Sequence, residues 1–143
     1  AKEDALKKVL RTESPNAIIN NETFHRYLTD GVDVEMRTES GIRGEKIYIV
    51  DFENPENNEL LAINQFTVVE GNQNKRPDII LFVNGLPLVV IELKNAVDEN
   101  ANLKSAFNQL QTYKAEVPAL FRFNEFMIIS LASSIFIDWL YLA

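Results

Sequence analysis

The sequence predicts a single α/β domain in which a mixed β-sheet is flanked by helices. Two apolar runs meet at Asn84-Gly85, a dipeptide that accepts the positive φ of a tight hairpin turn. A helical apolar stripe then covers residues 103–117, and a short apolar run at 126–131 is typical of a strand covered on both faces. A chain of 143 residues is large enough to form a core as one domain.

The first half predicts two helices. Residues 2–11 carry apolar side chains at helical spacing. A second helix is expected after a cap at residues 20–22, and the Asp30-Gly31 pair should end it.

Turns and strands are expected next. Residues 41–44 contain two glycines and predict a turn, and residues 46–52 alternate well enough for a strand. An Asn-rich loop at 53–59 separates it from a β-branched run at 60–70. A second turn at 71–74 leads into the hairpin.

The second hairpin strand ends in an acid and an amine. Under the period-two rule, four alternate residues share one face of this strand: Leu88, Val90, Glu92 and Lys94. Burying a charged pair against a packed sheet is costly without a ligand or partner. A functional role explains better than a structural one why a charged pair stands at this position. The structural alternative is an edge-strand surface pair of little energetic value, with Asp78 as a turn residue after Pro77.

Charge and composition restrict the function. The net charge of −7 argues against autonomous DNA binding, which depends on cationic contacts to phosphates. Basic residues nevertheless cluster around the charged strand end: Lys75, Arg76, Lys94, Lys104 and Lys114. Zero cysteines exclude disulfides and suit a cytoplasmic protein. The start at Ala1, in a charged amphipathic segment, indicates a processed or excised fragment without a cleavable signal sequence.

Several motifs together resemble a known nuclease family. Pro77-Asp78 followed by a hairpin and Glu92-Leu93-Lys94 is the motif of the PD-(D/E)xK superfamily, and Gln109 with Tyr113 forms a Gln-x-x-x-Tyr element found in a subset of it. Four further runs look like the N-terminal nuclease domain of the restriction (R) subunit of type I restriction-modification enzymes: residues 25–31, 51–55, 64–68 and 105–109. The resemblance extends over residues 23–130 and implies a restriction-endonuclease-like fold.

The chemistry of this motif points to metal-assisted hydrolysis. Two carboxylates, Asp78 and Glu92, form a hard-oxygen site suited to Mg²⁺. The resemblance adds the main-chain carbonyl of Leu93 as a ligand. Lys94 would position the attacking water and stabilise negative charge. The implied catalytic set is Asp78, Glu92 and Lys94.

Other residues are expected to support the site. Gln109 and Tyr113 lie four residues apart on one helical face, and the resemblance implies that they hold DNA or the catalytic elements. The alternative is a core tyrosine beside a surface glutamine. Lys75 and Arg76 are candidate DNA-binding residues. Glu22 and His25 lie a turn apart on the early helix, where related nucleases often place an acid, although a solvated helix face is the favoured reading.

The resemblance also implies partners. Double-stranded DNA would be the substrate, and methylation and specificity subunits would complete the restriction complex. ATP would act only through domains absent from this chain, because residues 41–46 form no phosphate-binding loop. Two other functions remain open: a catalytically silent assembly module with this fold, or another PD-(D/E)xK nuclease.

The last residues do not fit the family pattern. Residues 126–143 carry one charge, Asp138, and approach the length of a membrane span, but serines and the mid-segment acid count against one, so no membrane is expected. Residues 131–143 should instead fold back over the sheet or pair two copies of the fragment in a non-native dimer. The apolar side chains that predict this are Ile135, Phe136, Trp139, Leu140 and Tyr141. Deletion from Ser133 onward is expected to leave the fold intact.

Overall fold

The computed structural model describes residues 1–94, 103–131 and 134–139. Within it the chain divides into two compact units, Ala1–Asn58 and Glu59–Ala143, and each is described by itself. The single-domain organisation stays a prediction.

The first unit combines two helices with a two-stranded antiparallel sheet. Its elements are α1 (Lys2–Leu10), α2 (Ala17–Asp30), β1 (Val32–Thr38), β2 (Gly41–Ile47) and a short 3₁₀ helix (Pro55–Asn57). The helix α1 packs on β1, and the buried apolar side chains of this unit come from both helices, the first strand and the loop after β2: Ala5, Val9, Phe24, Leu28, Val32, Val34 and Val50.

Both predicted helices are confirmed, but other expectations for this unit are wrong. The second helix begins earlier, because the Asn16 side chain accepts a 2.9 Å hydrogen bond from the Ile18 N–H and caps it there. The predicted turn at 41–44 lies inside β2, and the predicted strand at 46–52 overlaps that strand only at residues 46–47. Pairing with β1 decides where β2 lies. The strand β1 was not expected, although its apolar and charged residues alternate.

The described residues of the second unit form seven strands and two helices. They are β3 (Leu60–Asn64), β4 (Val68–Glu70), β5 (Gln73–Lys75), β6 (Ile79–Val83), β7 (Leu86–Lys94), α3 (Leu103–Glu116), α4 (Pro118–Phe121), β8 (Phe126–Leu131) and β9 (Ser134–Trp139). Five strands form one sheet in the order β3-β6-β7-β8-β9. Among the pairs of described strands in this sheet, only β7–β8 is parallel, so the sheet is mixed, as predicted.

The β6–β7 hairpin turns at Asn84-Gly85 as predicted. Asn84 and Gly85 have φ values of 50° and 80°. The strands pair antiparallel, with Ile79 opposite Ile91. This register brings the beginning of β6 next to the end of β7.

The predicted strand at 60–70 is instead two strands. Its chain turns at Gln65, where φ is 53°, and β4 leaves the sheet to pair with β5. The predicted turn at 71–74 is correspondingly shortened to residues 71–72.

The core of the second unit lies between α3 and one face of the sheet. Its buried residues come from α3, α4, the residue between these helices and the three central strands: Ile80, Val90, Ala106, Leu110, Tyr113, Val117, Leu120, Phe121, Met127 and Ile129. The predicted helix ending before Pro118 is therefore confirmed, together with its apolar stripe. Glu92 follows Leu88 and Val90 on the buried face of β7.

Part of the C-terminal segment continues the sheet. Residues 134–139 form β9, which pairs antiparallel with β8 from Phe126 opposite Trp139 to Leu131 opposite Ser134. This segment was expected to pack over the sheet or to pair two copies, but it is the edge strand. Leu140 and Tyr141 lie outside the described residues, and the non-native dimer stays a prediction. Among the described residues, no helix is long and apolar enough to cross a membrane.

The pairing of β9 reverses the expected effect of truncation. Deletion from Ser133 onward removes six residue pairs and leaves the apolar strand β8 as an unpaired edge. The truncated chain is expected to lose about 3 kcal/mol or more of unfolding free energy and to aggregate. Urea unfolding and light scattering measure both effects. Deletion from Leu140 onward, which keeps β9, is the control. A Ser133 truncation that stays monomeric with an unchanged urea midpoint would contradict this role of β9.

Candidate active site

The antiparallel hairpin brings the predicted catalytic residues to one end of the sheet. Asp78 directly precedes β6, whereas Glu92 and Lys94 lie at the end of β7. Because Ile79 is opposite Ile91, Asp78 lies beside the last residues of β7. Beyond Ile91, β8 is the only described strand that pairs with β7, so no described strand pairs with the side of β7 toward β6.

Two N–H donors hold the carboxylate of Asp78. The Gln65 amide nitrogen Nε2 donates to Asp78 Oδ1 over 2.8 Å, and the Leu93 backbone N–H donates to Asp78 Oδ2 over 2.8 Å. In a strand, the N–H and C=O of one residue point to the same side. The Leu93 carbonyl therefore faces the side of β7 on which Asp78 lies.

Glu92 is a buried carboxylic acid with an unsatisfied oxygen. It is 1% exposed, and its Oε2 accepts a 2.9 Å hydrogen bond from Gln109 Nε2. Its Oε1 is buried without a hydrogen-bond partner among the described residues. Burial, followed by the negative charge of Asp78, raises the pKa of Glu92 to about 7, against the opposing effect of Lys94. The carboxyl is therefore poised between its protonated and ionised forms near neutral pH.

Gln109 of α3 links the other site residues. Its Oε1 accepts a 2.6 Å hydrogen bond from Lys94 Nζ, and its Nε2 donates to Glu92 Oε2 and, over 2.7 Å, to the Tyr113 hydroxyl oxygen. The predicted shared face of Gln109 and Tyr113 is thus observed. Tyr113 is 8% exposed, and burial raises the pKa of its hydroxyl above its ordinary value. Through its amide, Gln109 fixes the distance between the acid and the amine.

The two predicted DNA-binding residues have protein partners. Lys75 forms an ion pair with Glu116, and its Nζ lies 6.0 Å from the centroid of the Tyr113 ring. Arg76 is exposed, and its Nε donates to the Gln65 carbonyl over 3.4 Å. Neither contact tests their predicted role toward DNA.

Glu22 and His25 lie on α2 of the first unit. Glu22 is exposed and His25 is half-buried. Their assignment to the site stays a prediction.

The carboxylates at this end of the sheet provide only part of a metal coordination shell. The described ranges contain no group of three or more His, Cys, Asp or Glu residues arranged to hold a metal ion. Asp78 and Glu92 could hold one with the Leu93 carbonyl and water. Two surface clefts, of about 360 and 500 Å³, lie in the first unit and contain none of these residues.

Sequence reasoning did not assign a role to Gln65, although it lies in one of the family-like runs, residues 64–68. No local pattern indicates that its side chain reaches a residue thirteen positions away. Its position inside the strand predicted over residues 60–70 gives no local signal of this role.

Comparisons with known proteins identify the family. The family model described as "Type I restriction enzyme R protein N terminus" matches residues 2–136. The type I restriction enzyme HindI endonuclease subunit of Haemophilus influenzae is 44% identical over 131 residues, which cover 91% of this chain and 12% of that protein. A putative type I restriction enzyme endonuclease subunit of Methanocaldococcus jannaschii, MjaIXP, is 30% identical over 127 residues, covering 87% of this chain and 12% of that protein. The chain thus spans about an eighth of the length of these relatives. It belongs to the type I restriction enzyme R protein family and corresponds to the N-terminal domain of the endonuclease subunit.

Proposed function

We propose that this chain is the Mg²⁺-dependent endonuclease domain of a type I restriction enzyme and hydrolyses phosphodiester bonds of double-stranded foreign DNA. The observation that carries the proposal is the hydrogen-bonded chain from Lys94 through Gln109 to Glu92, beside Asp78. The relatives are named as endonuclease subunits, which supports the same activity for this chain. In this proposal the fold is that of the PD-(D/E)xK nucleases.

A divalent cation suits the charges of the site. Asp78 and Glu92 repel each other, and the buried Glu92 Oε1 has no donor among the described residues. A cation bound to both carboxylates would remove the repulsion and satisfy that oxygen. Mg²⁺ is usually held by one or two carboxylates and keeps several waters, so this set of oxygen ligands is sufficient. Asp78, Glu92 and the Leu93 carbonyl would hold it.

The side chains of this site have separate tasks in phosphodiester hydrolysis. A Mg²⁺ ion held by Asp78, Glu92 and the Leu93 carbonyl would supply Lewis-acid polarisation of the phosphate and would lower the pKa of a water. Lys94 carries the positive charge that stabilises charge developing on the phosphate oxygens. Gln109 hydrogen-bonds to both Lys94 and Glu92 and so holds that amine beside the Glu92 carboxyl. Asp78 is already oriented by two donors, so little reorganisation is needed.

Other parts of the enzyme would deliver the DNA. With a net charge of −7, the chain is poorly suited to bind DNA by itself. In the proposed complex, methylation and specificity subunits select the site, and ATP-driven domains outside this chain translocate the DNA in the cytoplasm.

Cleavage of long unmethylated phage DNA by the assembled enzyme tests this function. With Mg²⁺ and ATP, the DNA is expected to be cut into fragments, visible on an agarose gel. DNA methylated by the same complex is the control and should stay intact. A complex that hydrolyses ATP in response to unmethylated DNA but never cuts it would support the silent assembly module instead.

A further inference from the structure

Gln65 contacts the metal-binding candidate Asp78 with both its side chain and its backbone. Its amide nitrogen Nε2 donates to Asp78 Oδ1, and its backbone N–H donates to the Asp78 carbonyl over 2.9 Å. Its own carbonyl accepts from Arg76 Nε. One residue between β3 and β4 is thus tied to the segment that leads into β6.

The backbone of Gln65 is in an unfavourable conformation. Its φ of 53° lies in the left-handed region, which costs a residue with a side chain about 1–2 kcal/mol. Asn84 is the other non-glycine residue with positive φ among those described, and the tight hairpin turn requires it there. At Gln65 no two-residue hairpin imposes the conformation. Backbone strain of this kind concentrates at functional sites.

The Gln65 amide completes the orientation of the Asp78 carboxylate. One oxygen is held by Gln65 and the other by the Leu93 N–H. An ionised carboxylate has about four lone-pair positions, so two remain for another ligand. The Gln65 side chain is exposed, and water competes for its hydrogen bond, so the bond contributes little to folding stability. The hydrogen bond from Gln65 is instead expected to set the direction in which the two free lone pairs of the Asp78 carboxylate point.

We propose that Gln65 is a positioning residue that aims the Asp78 carboxylate at the metal. The inference deepens the proposed function and rests on it. Hydrogen-bond partners that orient a metal ligand typically change metal affinity by about 10–100-fold when they are removed.

Substitution by glycine separates the side chain from the backbone. Gln65→Gly removes the amide but accommodates the positive φ, whereas Gln65→Ala removes the amide and keeps the strain. Mn²⁺ binding to the R subunit without nucleotide, followed by the loss of the free-ion paramagnetic resonance signal, measures the site directly. Both variants are expected to bind Mn²⁺ about 10-fold more weakly. Gln73→Ala, at an exposed position of β5, is the matched control and should bind normally.

The same variants have an activity readout. In the assembled enzyme, DNA cleavage relative to ATP hydrolysis should require about 10-fold more free Mg²⁺ and recover at high Mg²⁺. A Gln65→Gly enzyme with wild-type metal affinity and wild-type Mg²⁺ dependence would overturn this inference alone. An Asp78→Ala R subunit that binds Mn²⁺ as tightly as the wild type would overturn the metal site, and this inference with it.

Discussion

Alanine at Asp78, Glu92 or Lys94 in the assembled restriction enzyme is expected to reduce DNA cleavage by about 10³-fold or more. Each substitution removes a metal-binding oxygen or the charge that stabilises the reacting phosphate. ATP hydrolysis and translocation should stay largely intact, because the sequence of this chain contains no phosphate-binding loop. Fragment yield on a gel measures cleavage, and phosphate release measures ATP hydrolysis.

Exposed residues of the same chemical type provide the controls. Lys2→Ala on α1 and Glu56→Ala in the short 3₁₀ helix should cleave at the wild-type rate. Loss of ATP hydrolysis in a folded Asp78, Glu92 or Lys94 variant would indicate structural coupling instead of catalysis. Full cleavage by a Glu92→Ala enzyme would reject the site.

Glu92→Gln is expected to stabilise the metal-free chain at neutral and alkaline pH. Folding raises the pKa of Glu92 from its ordinary value of 4.5 to about 7, so folding is penalised when the carboxyl is ionised. At about 1.4 kcal/mol per pKa unit, the penalty is about 3 kcal/mol. The amide has no charge to desolvate, and its oxygen can still accept the hydrogen bond from Gln109.

The pH dependence has a definite sign. Below about pH 4.5 the carboxyl is protonated in both the folded and unfolded states, and the variant and wild type should be equally stable. The difference grows between pH 4.5 and about 7 and is constant above that. Urea unfolding in the presence of EDTA measures it, and Mg²⁺ should reduce it because a bound cation favours the ionised carboxylate.

Asp51→Asn is a control of opposite sign. A side-chain hydrogen bond from Asn57, followed by the Asn54 N–H, lowers the pKa of Asp51. Its stabilising contribution is present above the ordinary pKa of 3.8 and is lost as the pH falls through the lowered value. The amide should therefore destabilise the chain at pH 8. A Glu92→Gln chain that is also less stable at pH 8 would contradict the buried, repelled carboxylate.

The parts of the candidate site that depend on turn preference, strand alternation and helical spacing could be predicted from the sequence. Asn84-Gly85 located the hairpin, and period two placed Glu92 and Lys94 on one strand face. Helical spacing placed Gln109 next to Tyr113, which the 2.7 Å hydrogen bond between them confirms. Each of these predictions depends on residues at most four positions apart or on a turn with a strict φ requirement.

The errors arose where pairing across the sheet decided the structure. The β-branched run at residues 60–70 predicted one strand, whereas the chain turns at Gln65 and splits it. The first-unit strand β2 lies where β1 pairs with it, not where its own alternation is strongest. Residues 134–139 were expected to be an apolar tail, because their own composition does not indicate that they pair with β8 and extend the sheet.

The sequence by itself determined the hairpin, the helix that covers the sheet and the acidic and basic residues brought to one end of β7. These follow from φ preferences and side-chain periodicity, which neighbouring residues set. Only the tertiary structure decided that Gln65 holds Asp78 and that Gln109 joins Lys94 to Glu92. Those contacts join residues 13 to 17 positions apart, so they depend on strand register and on the packing of α3 against the sheet. Register and packing are set by the whole core, and no short segment of sequence contains them.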